Sequence, residues 1–285
     1  MAITRVGVVG AGIMGSGIAE VSIRSGVDTV LLDVDDAAVE RGRAQIEKSL
    51  ATAVARGKIE ESARDEALGR LTTGSDVKLL ADRDLVIEAI VEREDIKTAF
   101  FAEADRITPA GAILASNTSS IPIVRLATAT QRPDRVLGMH FFNPAPVQPL
   151  VELIPALTTD AAVVDEVDQF ATNVLGKKTI RCRDQAGFVV NALLVPYLLA
   201  AIRMYESGAA TATDIDEGMK NGCAHPMGPL ALCDLVGLDT LKSVADVMFE
   251  EFKEPLYAPP PLLKRMVDAG RLGRKSGRGF YEYGG

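Results

Sequence analysis

Gly10-Ala11-Gly12-Ile13-Met14-Gly15 follows directly on the apolar run Val6-Gly7-Val8-Val9, and Asp33 closes the next apolar run, Val30-Leu31-Leu32, about 20 residues further on. This order confines the chain to a strand, a tight turn, a helix and a second strand ending in an acid, the outline of a dinucleotide site. Gly10 permits the turn out of the strand, Gly12 lets the backbone approach a pyrophosphate, and Gly15 brings the following helix against the sheet. With Ala11, Ile13 and Met14 completing the turn, the helix N-terminus offers N–H groups and a positive dipole to the phosphates. Ser16-Gly17-Ile18-Ala19-Glu20-Val21 reads as the start of that helix.

A carboxylate at the position of Asp33 accepts hydrogen bonds from a free ribose hydroxyl and repels the extra phosphate of NADP. Asp35 and Asp36 add to the repulsion, and after them no Arg or Lys occurs until Arg41, so the expected cofactor is NAD. The alternative is that Asp33 simply caps the turn after its strand.

Over residues 1–185 short β-branched runs alternate with helical stretches, the pattern of parallel strands joined by crossover helices. Strands are expected at 5–9, 29–33, 85–90, 112–116, 136–141 and 150–154. They predict an α/β fold with a Rossmann-type doubly wound sheet. Between the second and third strands lies a long helical stretch, roughly 37–71, in which Ile46, Leu50, Ala53 and Val54 recur at helical spacing. An inserted helical hairpin follows, whose Arg41, Arg43, Lys48, Arg56 and Lys58 read by themselves as an ordinary solvated face. Over residues 186–285 strand signals stop and a smaller all-α domain is expected, with helices at 188–207, 214–222 behind a Thr213 N-cap, 238–252 and 262–269. A basic, glycine-rich tail closes the chain.

With 285 residues, 47% hydrophobic and 25% charged, the chain has room for two folded domains. A formal net charge of −8 argues against nucleic acid or an anionic membrane as partner and leaves small molecules. Cys182, Cys223 and Cys233 lack the spacing of a zinc or redox site, so no metal is expected and the thiols read as reduced and mostly buried. The longest apolar run, 188–202, is too short for a membrane span and contains Asn191 and Pro196. No cationic-then-apolar leader precedes the first strand, and a cytoplasmic protein is expected.

Two histidines, His140 and His225, are present. His140 stands near the carboxyl end of its strand, where open parallel sheets hold their ligands; His225 lies in a turn-rich connection and reads as structural. Glu152 sits in the apolar segment Leu150-Val151-Glu152-Leu153-Ile154, across the turn Asn143-Pro144-Ala145-Pro146 from His140. An acid in such a strand needs a partner, and His140 is a natural one. The pair would form a general base in which the carboxylate fixes the imidazole tautomer. Spacing alone leaves this level with a surface-strand glutamate beside a core histidine.

Several segments together resemble the L-3-hydroxyacyl-CoA dehydrogenase family. They are the glycine turn, Ala115-Ser116-Asn117-Thr118-Ser119-Ser120, His140-Phe141-Phe142-Asn143-Pro144, Leu150-Val151-Glu152 and Gly187-Phe188-Val189-Val190-Asn191. His225-Pro226-Met227-Gly228-Pro229 and Lys275-Ser276-Gly277-Arg278-Gly279-Phe280-Tyr281 fit the same family, so the resemblance spans nearly the whole chain in order. Its length is similar to that of the bacterial short-chain branch acting on 3-hydroxybutyryl-CoA.

The resemblance implies reversible hydride transfer between C3 of an L-3-hydroxyacyl-CoA and NAD. It assigns proton transfer to His140, its orientation to Glu152, and substrate positioning to Ser119 and Asn191. It places Glu92, Lys97, Ser119, Asn143 and Lys275 beside the cofactor with the glycine turn and Asp33. From the residues alone, Glu92 and Lys97 read as an exposed ion pair. The hairpin would grip the CoA nucleotide through Ser49 and a basic side chain, here Arg56 or Lys58, with Ser119 at the acyl end. Pro149 stands where relatives have lysine and removes a backbone donor next to the Leu150 strand. A homodimer through the C-terminal domain is implied. Two readings compete: the same chemistry on 3-hydroxyadipyl-CoA or L-gulonate, and a non-catalytic NADH-binding module.

Overall fold

Strand β1, Arg5–Val9, is buried from Val6 onward, and the chain leaves it through Gly10 at φ 101°, a conformation that side chains disfavour. The computed structural model describes residues 3–284, which form two compact units, divided between residues 184 and 185. In the first, α1 (Ile13–Arg24) leads to β2 (Asp28–Leu32), and α2 (Asp36–Ala55) and α3 (Glu61–Leu68) lead to β3 (Leu71–Gly74). Then come β4 (Leu85–Glu88), α4 (Glu94–Ile107), β5 (Ile113–Ser116), α5 (Ile123–Ala127), β6 (Val136–Phe141), β7 (Leu150–Pro155), α6 (Ala161–Gln169) and β8 (Lys178–Arg181).

The strands lie in the order β3-β2-β1-β4-β5-β6-β7-β8. Strand order reverses direction at β1, so the crevice beside the carboxyl ends of β1 and β4 is the switch point where such sheets take ligands. Two strands, β3 and β8, were not expected. Both are four residues long and at least half polar, the character of edge strands that resist further pairing. The helical hairpin is present as α2 and α3, but Leu71, expected at its end, already belongs to β3 and pairs with Thr29. Asp35 caps α2 by accepting from the Ala38 N–H at 2.7 Å.

The expectation of parallel strands throughout fails at β7, which runs antiparallel to β6 and sets Glu152 opposite His140. A short turn joins the two, and only antiparallel neighbours can be linked that way. Pro149 leaves the pairing intact, because its carbonyl accepts from the Lys178 N–H at 2.7 Å.

The second unit is helical: α7 (Val190–Glu206), α8 (Ala212–Cys223), α9 (Pro229–Val236), α10 (Leu238–Phe252) and α11 (Pro261–Asp268). Thr211, not Thr213, caps α8, accepting from the Asp214 N–H, and α9 is an additional helix with Pro229 in its first turn. Leu198, Leu199, Ile202, Leu230, Cys233, Leu241 and Met248 form its core. Cys182 and Cys233 are buried, but Cys223 is exposed. Among the described residues no helix is long and apolar enough to cross a membrane.

The glycine-rich tail is wound around one carboxylate. Asp234 accepts from the N–H groups of Phe280 and Tyr281, each at 2.9 Å, and from the Tyr283 hydroxyl at 3.0 Å. A side chain at Gly279 would begin 1.9 Å from Asp234 Oδ1, so glycine is required there. Asp234→Ala leaves these three donors without their acceptor and is expected to destabilise the second unit by about 2–4 kcal/mol. Urea unfolding measures the loss, and trypsin should then cut the tail at Lys275 and Arg278 faster than in the wild type.

Candidate active site

The glycine turn fits a dinucleotide for reasons that differ at each glycine. A Cβ on Gly10 would lie 2.4 Å from the Ala89 carbonyl oxygen, and one on Gly15 1.7 Å from that of Gly10. Both are demanded by the protein's own packing. A Cβ on Gly12 would meet nothing within 4 Å, so the space above it is open, as close approach by a pyrophosphate requires. Gly12 is also the N-cap of α1 without a side-chain cap, which leaves first-turn N–H groups directed at that space. Ile13 beside it is exposed and Met14 half-buried.

Asp33, at the end of β2, holds the turn: Oδ2 accepts from the Ala11 N–H at 2.6 Å and Oδ1 from the Val34 N–H at 2.7 Å. The capping contact offered as an alternative is therefore present at the position a ribose-binding acid occupies.

Glu92 and Lys97 do form an ion pair, but of the two only the glutamate is exposed. Lys97 is 1% exposed and lies between two carboxylates, 2.7 Å from Glu88 Oε1 and 2.9 Å from Glu92 Oε2. Glu88, fully buried at the end of β4, also accepts from the Ser116 hydroxyl at 2.6 Å and the Ile90 N–H at 2.7 Å. Glu92 in turn accepts from the Thr118 hydroxyl, from the Ser119 N–H at 3.1 Å and from the Ser120 hydroxyl at 3.0 Å. Burial alone would raise the Glu92 carboxyl, but the Lys97 ammonium and these hydroxyls overcome it and hold it below its ordinary value. The loop carrying Ser119 is thus stapled to β4.

His140 and Glu152 meet inside the protein. Nδ1 lies 2.7 Å from Glu152 Oε2, with the histidine 6% exposed and the glutamate fully buried. The Phe142 ring packs on the imidazole at 4.6 Å between centroids. Asn117 Oδ1 accepts from the Phe141 N–H at 2.8 Å and fixes the end of β6. His225 belongs to a different setting, 3.1 Å from the Tyr197 hydroxyl in the second unit.

Ser49 and Asn143 line one cavity of about 270 Å³ between α1, α2 and the loop after β6, together with Gly17, Gln45, Pro146 and Val147. Arg56 and Lys58, at the tip of the hairpin, do not line it. Both are exposed, and among the described residues neither has an ion pair. Asn191 stands in the first turn of α7, and Lys275, 2.6 Å from Asp239, lies in the tail, so both belong to the second unit.

Sequence reasoning missed Glu88, Asn117 and Cys182. The argument that singled out Glu152, an acid inside an apolar strand, applies equally to Glu88 in Leu85-Val86-Ile87-Glu88. Asn117 and Cys182 carry no comparable signal, because their partners are set by strand order.

An open glycine turn at the switch point, in a unit that also buries an imidazole–carboxylate pair, defines the class as a dinucleotide-dependent dehydrogenase. Residues 5–185 match the family model described as 3-hydroxyacyl-CoA dehydrogenase, NAD binding domain, and residues 187–283 match that of the 3-hydroxyacyl-CoA dehydrogenase C-terminal domain. The chain belongs to the 3-hydroxyacyl-CoA dehydrogenase family, and its first unit is that family's NAD-binding domain. It is 62% identical over 283 residues to a 3-hydroxybutyryl-CoA dehydrogenase of Mycobacterium tuberculosis, covering 99% of both chains. The crystal structure of M. tuberculosis FadB2 superposes with a TM-score of 0.99 at 61% identity over 100% of both chains. That of (S)-3-hydroxybutyryl-CoA dehydrogenase PaaH1 from Ralstonia eutropha gives 0.95 at 44% identity, again over 100% of both chains.

Two substitutions separate packing from ligand binding. Gly12→Ala should keep the wild-type melting temperature yet weaken NADH binding at least roughly tenfold, whereas Gly15→Ala should lose more than about 2 kcal/mol of stability. Fluorescence titration with NADH and thermal unfolding measure the two effects.

The lowered Glu92 carboxyl gives a pH prediction. A depressed carboxyl stabilises the fold above its ordinary value, and that contribution is lost as pH falls through the depressed one. The melting temperature of the wild type should therefore exceed that of Glu92→Gln near neutrality, and the gap should close below about pH 4.

Proposed function

We propose that the chain catalyses NAD-dependent oxidation of a short-chain L-3-hydroxyacyl-CoA, 3-hydroxybutyryl-CoA, to the 3-oxoacyl-CoA, and the reverse. The observation that carries this reading is the buried 2.7 Å contact between His140 and Glu152 near the carboxyl end of β6, in a chain of this family. When bound, NAD would supply the hydride acceptor for C3 in oxidation and the hydride donor in reduction.

The bond to the carboxylate assigns Nδ1–H to the His140 ring and leaves Nε2 as the nitrogen that takes the hydroxyl proton. As the imidazolium forms, Glu152 balances its charge within a buried setting where Coulomb attraction is strong. Reduction returns the same proton from Nε2 to the C3 oxygen. Ser119 positions the substrate, held by the network that fixes its loop, and no covalent intermediate is needed. Asn191 is assigned to the substrate and Lys275 to the cofactor through their match to the family's motifs.

On the cofactor side the glycine turn holds the pyrophosphate, Asp33 the ribose, and Glu92 and Asn143 the remainder, with Lys97, buried between Glu88 and Glu92, acting through Glu92. On the substrate side the cavity lined by Ser49 and Asn143 takes part of CoA, and the cations at Arg56 and Lys58 take its phosphates. Three free cysteines, two of them buried, suit a reducing cytoplasm. The exposed apolar side chains of Leu193, Met204, Leu235 and Val236 support a homodimer through the helical unit.

Turnover of acetoacetyl-CoA, 3-hydroxyadipyl-CoA and L-gulonate with NAD(H) tests the substrate, and the four-carbon thioester should be fastest. His140→Gln should lower kcat by roughly a thousandfold and leave NADH affinity within about threefold. Arg56→Ala and Lys58→Ala together should raise KM for the thioester and not for NADH. L-gulonate turned over as well as the thioester, or an active His140→Gln, would exclude the reading.

A further inference from the structure

Cys182 follows directly on β8, and its N–H donates to the Leu153 carbonyl at 2.9 Å, which extends the parallel β7–β8 ladder by one rung. By strand alternation its side chain shares a face with Ile180, the register partner of Glu152. Cys182 Sγ lies 3.7 Å from Glu152 Oε1, while Oε2 faces His140 Nδ1 at 2.7 Å. The two oxygens of one carboxylate are thus engaged from the strands on either side of it.

We propose that Cys182 is a positioning residue for the reaction, its S–H donated to Oε1 so as to hold Glu152 in the rotamer that presents Oε2 to His140. The inference rests on the acid–base reading of His140 given above. Burial and the neighbouring carboxylate push the thiol up to about 12, so at neutral pH it is a donor and not a thiolate that would repel Glu152. A thiol is also a weak donor, which draws less charge from the carboxylate than a hydroxyl would and leaves that charge to the imidazolium. At 5% exposure and fully protonated, it is unsuited to be a nucleophile or redox sensor.

Kinetics of Cys182→Ala, Cys182→Ser and His140→Gln, with side-chain 15N NMR of the histidine rings at one pH, test the inference. The chain has two histidines, so a His225→Gln variant assigns both sets of resonances. Cys182→Ala should lower kcat roughly tenfold, with both KM values within about twofold, and should shift the His140 ring nitrogens. Cys182→Ser restores a donor and should recover kcat to within about threefold of the wild type. A purely packing role would lower the melting temperature of both variants alike and leave the His140 nitrogens unmoved. Wild-type kcat in Cys182→Ala, or equal loss in the serine and alanine variants, overturns the proposal. Should the alanine variant not fold, Cys182→Val, which fills the space without a donor, replaces it. An active His140→Gln would remove the acid–base reading itself, whereas an inactive His140→Gln beside a fully active Cys182→Ala removes only the role of Cys182.

Discussion

A carboxylate is fully buried inside the sheet at Glu152, and there it destabilises the fold by several kcal/mol unless hydrogen-bonding partners replace the water it has lost. That requirement gives the β6–β7 pairing a purpose beyond closing the sheet. Had β7 continued the parallel pattern, a crossover would have separated residue 152 from the end of β6. The short antiparallel return instead sets Glu152 opposite His140. A slip of one residue would turn Glu152 to the opposite face, toward Met139 or Phe141, neither of which can accept or donate a hydrogen bond through its side chain as His140 does. Register and chemistry are therefore one constraint.

The first unit solves the same problem a second time, with a different outcome. Glu88 is as deeply buried as Glu152, but it faces an ammonium, a hydroxyl and a backbone N–H. The ammonium is held between two carboxylates, so this arrangement is a fixed strut that extends through Glu92 to the backbone of Ser119. An imidazole can instead take up and release a proton in a reaction, and a carboxylate bonded to it stabilises the charged ring over the neutral one. Two buried acids on one sheet thus divide the work: one holds a loop in place, the other holds a proton acceptor.

Most of the first unit was legible because its signals are local. The glycine turn, the spaced acid and the β-branched runs each lie within a few residues, and their positions agree with β1, β2, β4, β5, β6 and β7. The strands that escaped, β3 and β8, are short and at least half polar, and their identity depends on the neighbours they pair with rather than on their own pattern. The same limit hid Cys182 and Asn117, whose partners lie 30 and 24 residues away. Lys97 was misread for a related reason. The pairing with Glu92 is there, but the ammonium also reaches Glu88, which strand pairing buries at the end of β4. In the second unit the tail read only as basic and glycine-rich, whereas Gly273 and Gly279 are needed because Asp234 leaves no room for a side chain.

Glycines also separate what the fold requires from what a ligand requires. Gly10 and Gly15 would each drive a Cβ into a carbonyl oxygen of the chain itself, and Gly42 would collide with Ala11 as α2 crosses the turn. Any sequence folding this way needs small residues at those three positions, with or without a cofactor. Gly12 has no such neighbour, and its φ of −72° is open to every residue. At a helix N-cap, Ser, Thr, Asp or Asn would stabilise α1 by satisfying an orphan N–H, and glycine forgoes that gain. The fold alone would favour replacing Gly12; a phosphate that must approach the backbone N–H groups would not, which makes the glycine that packing does not need the clearest mark of the cofactor in this chain.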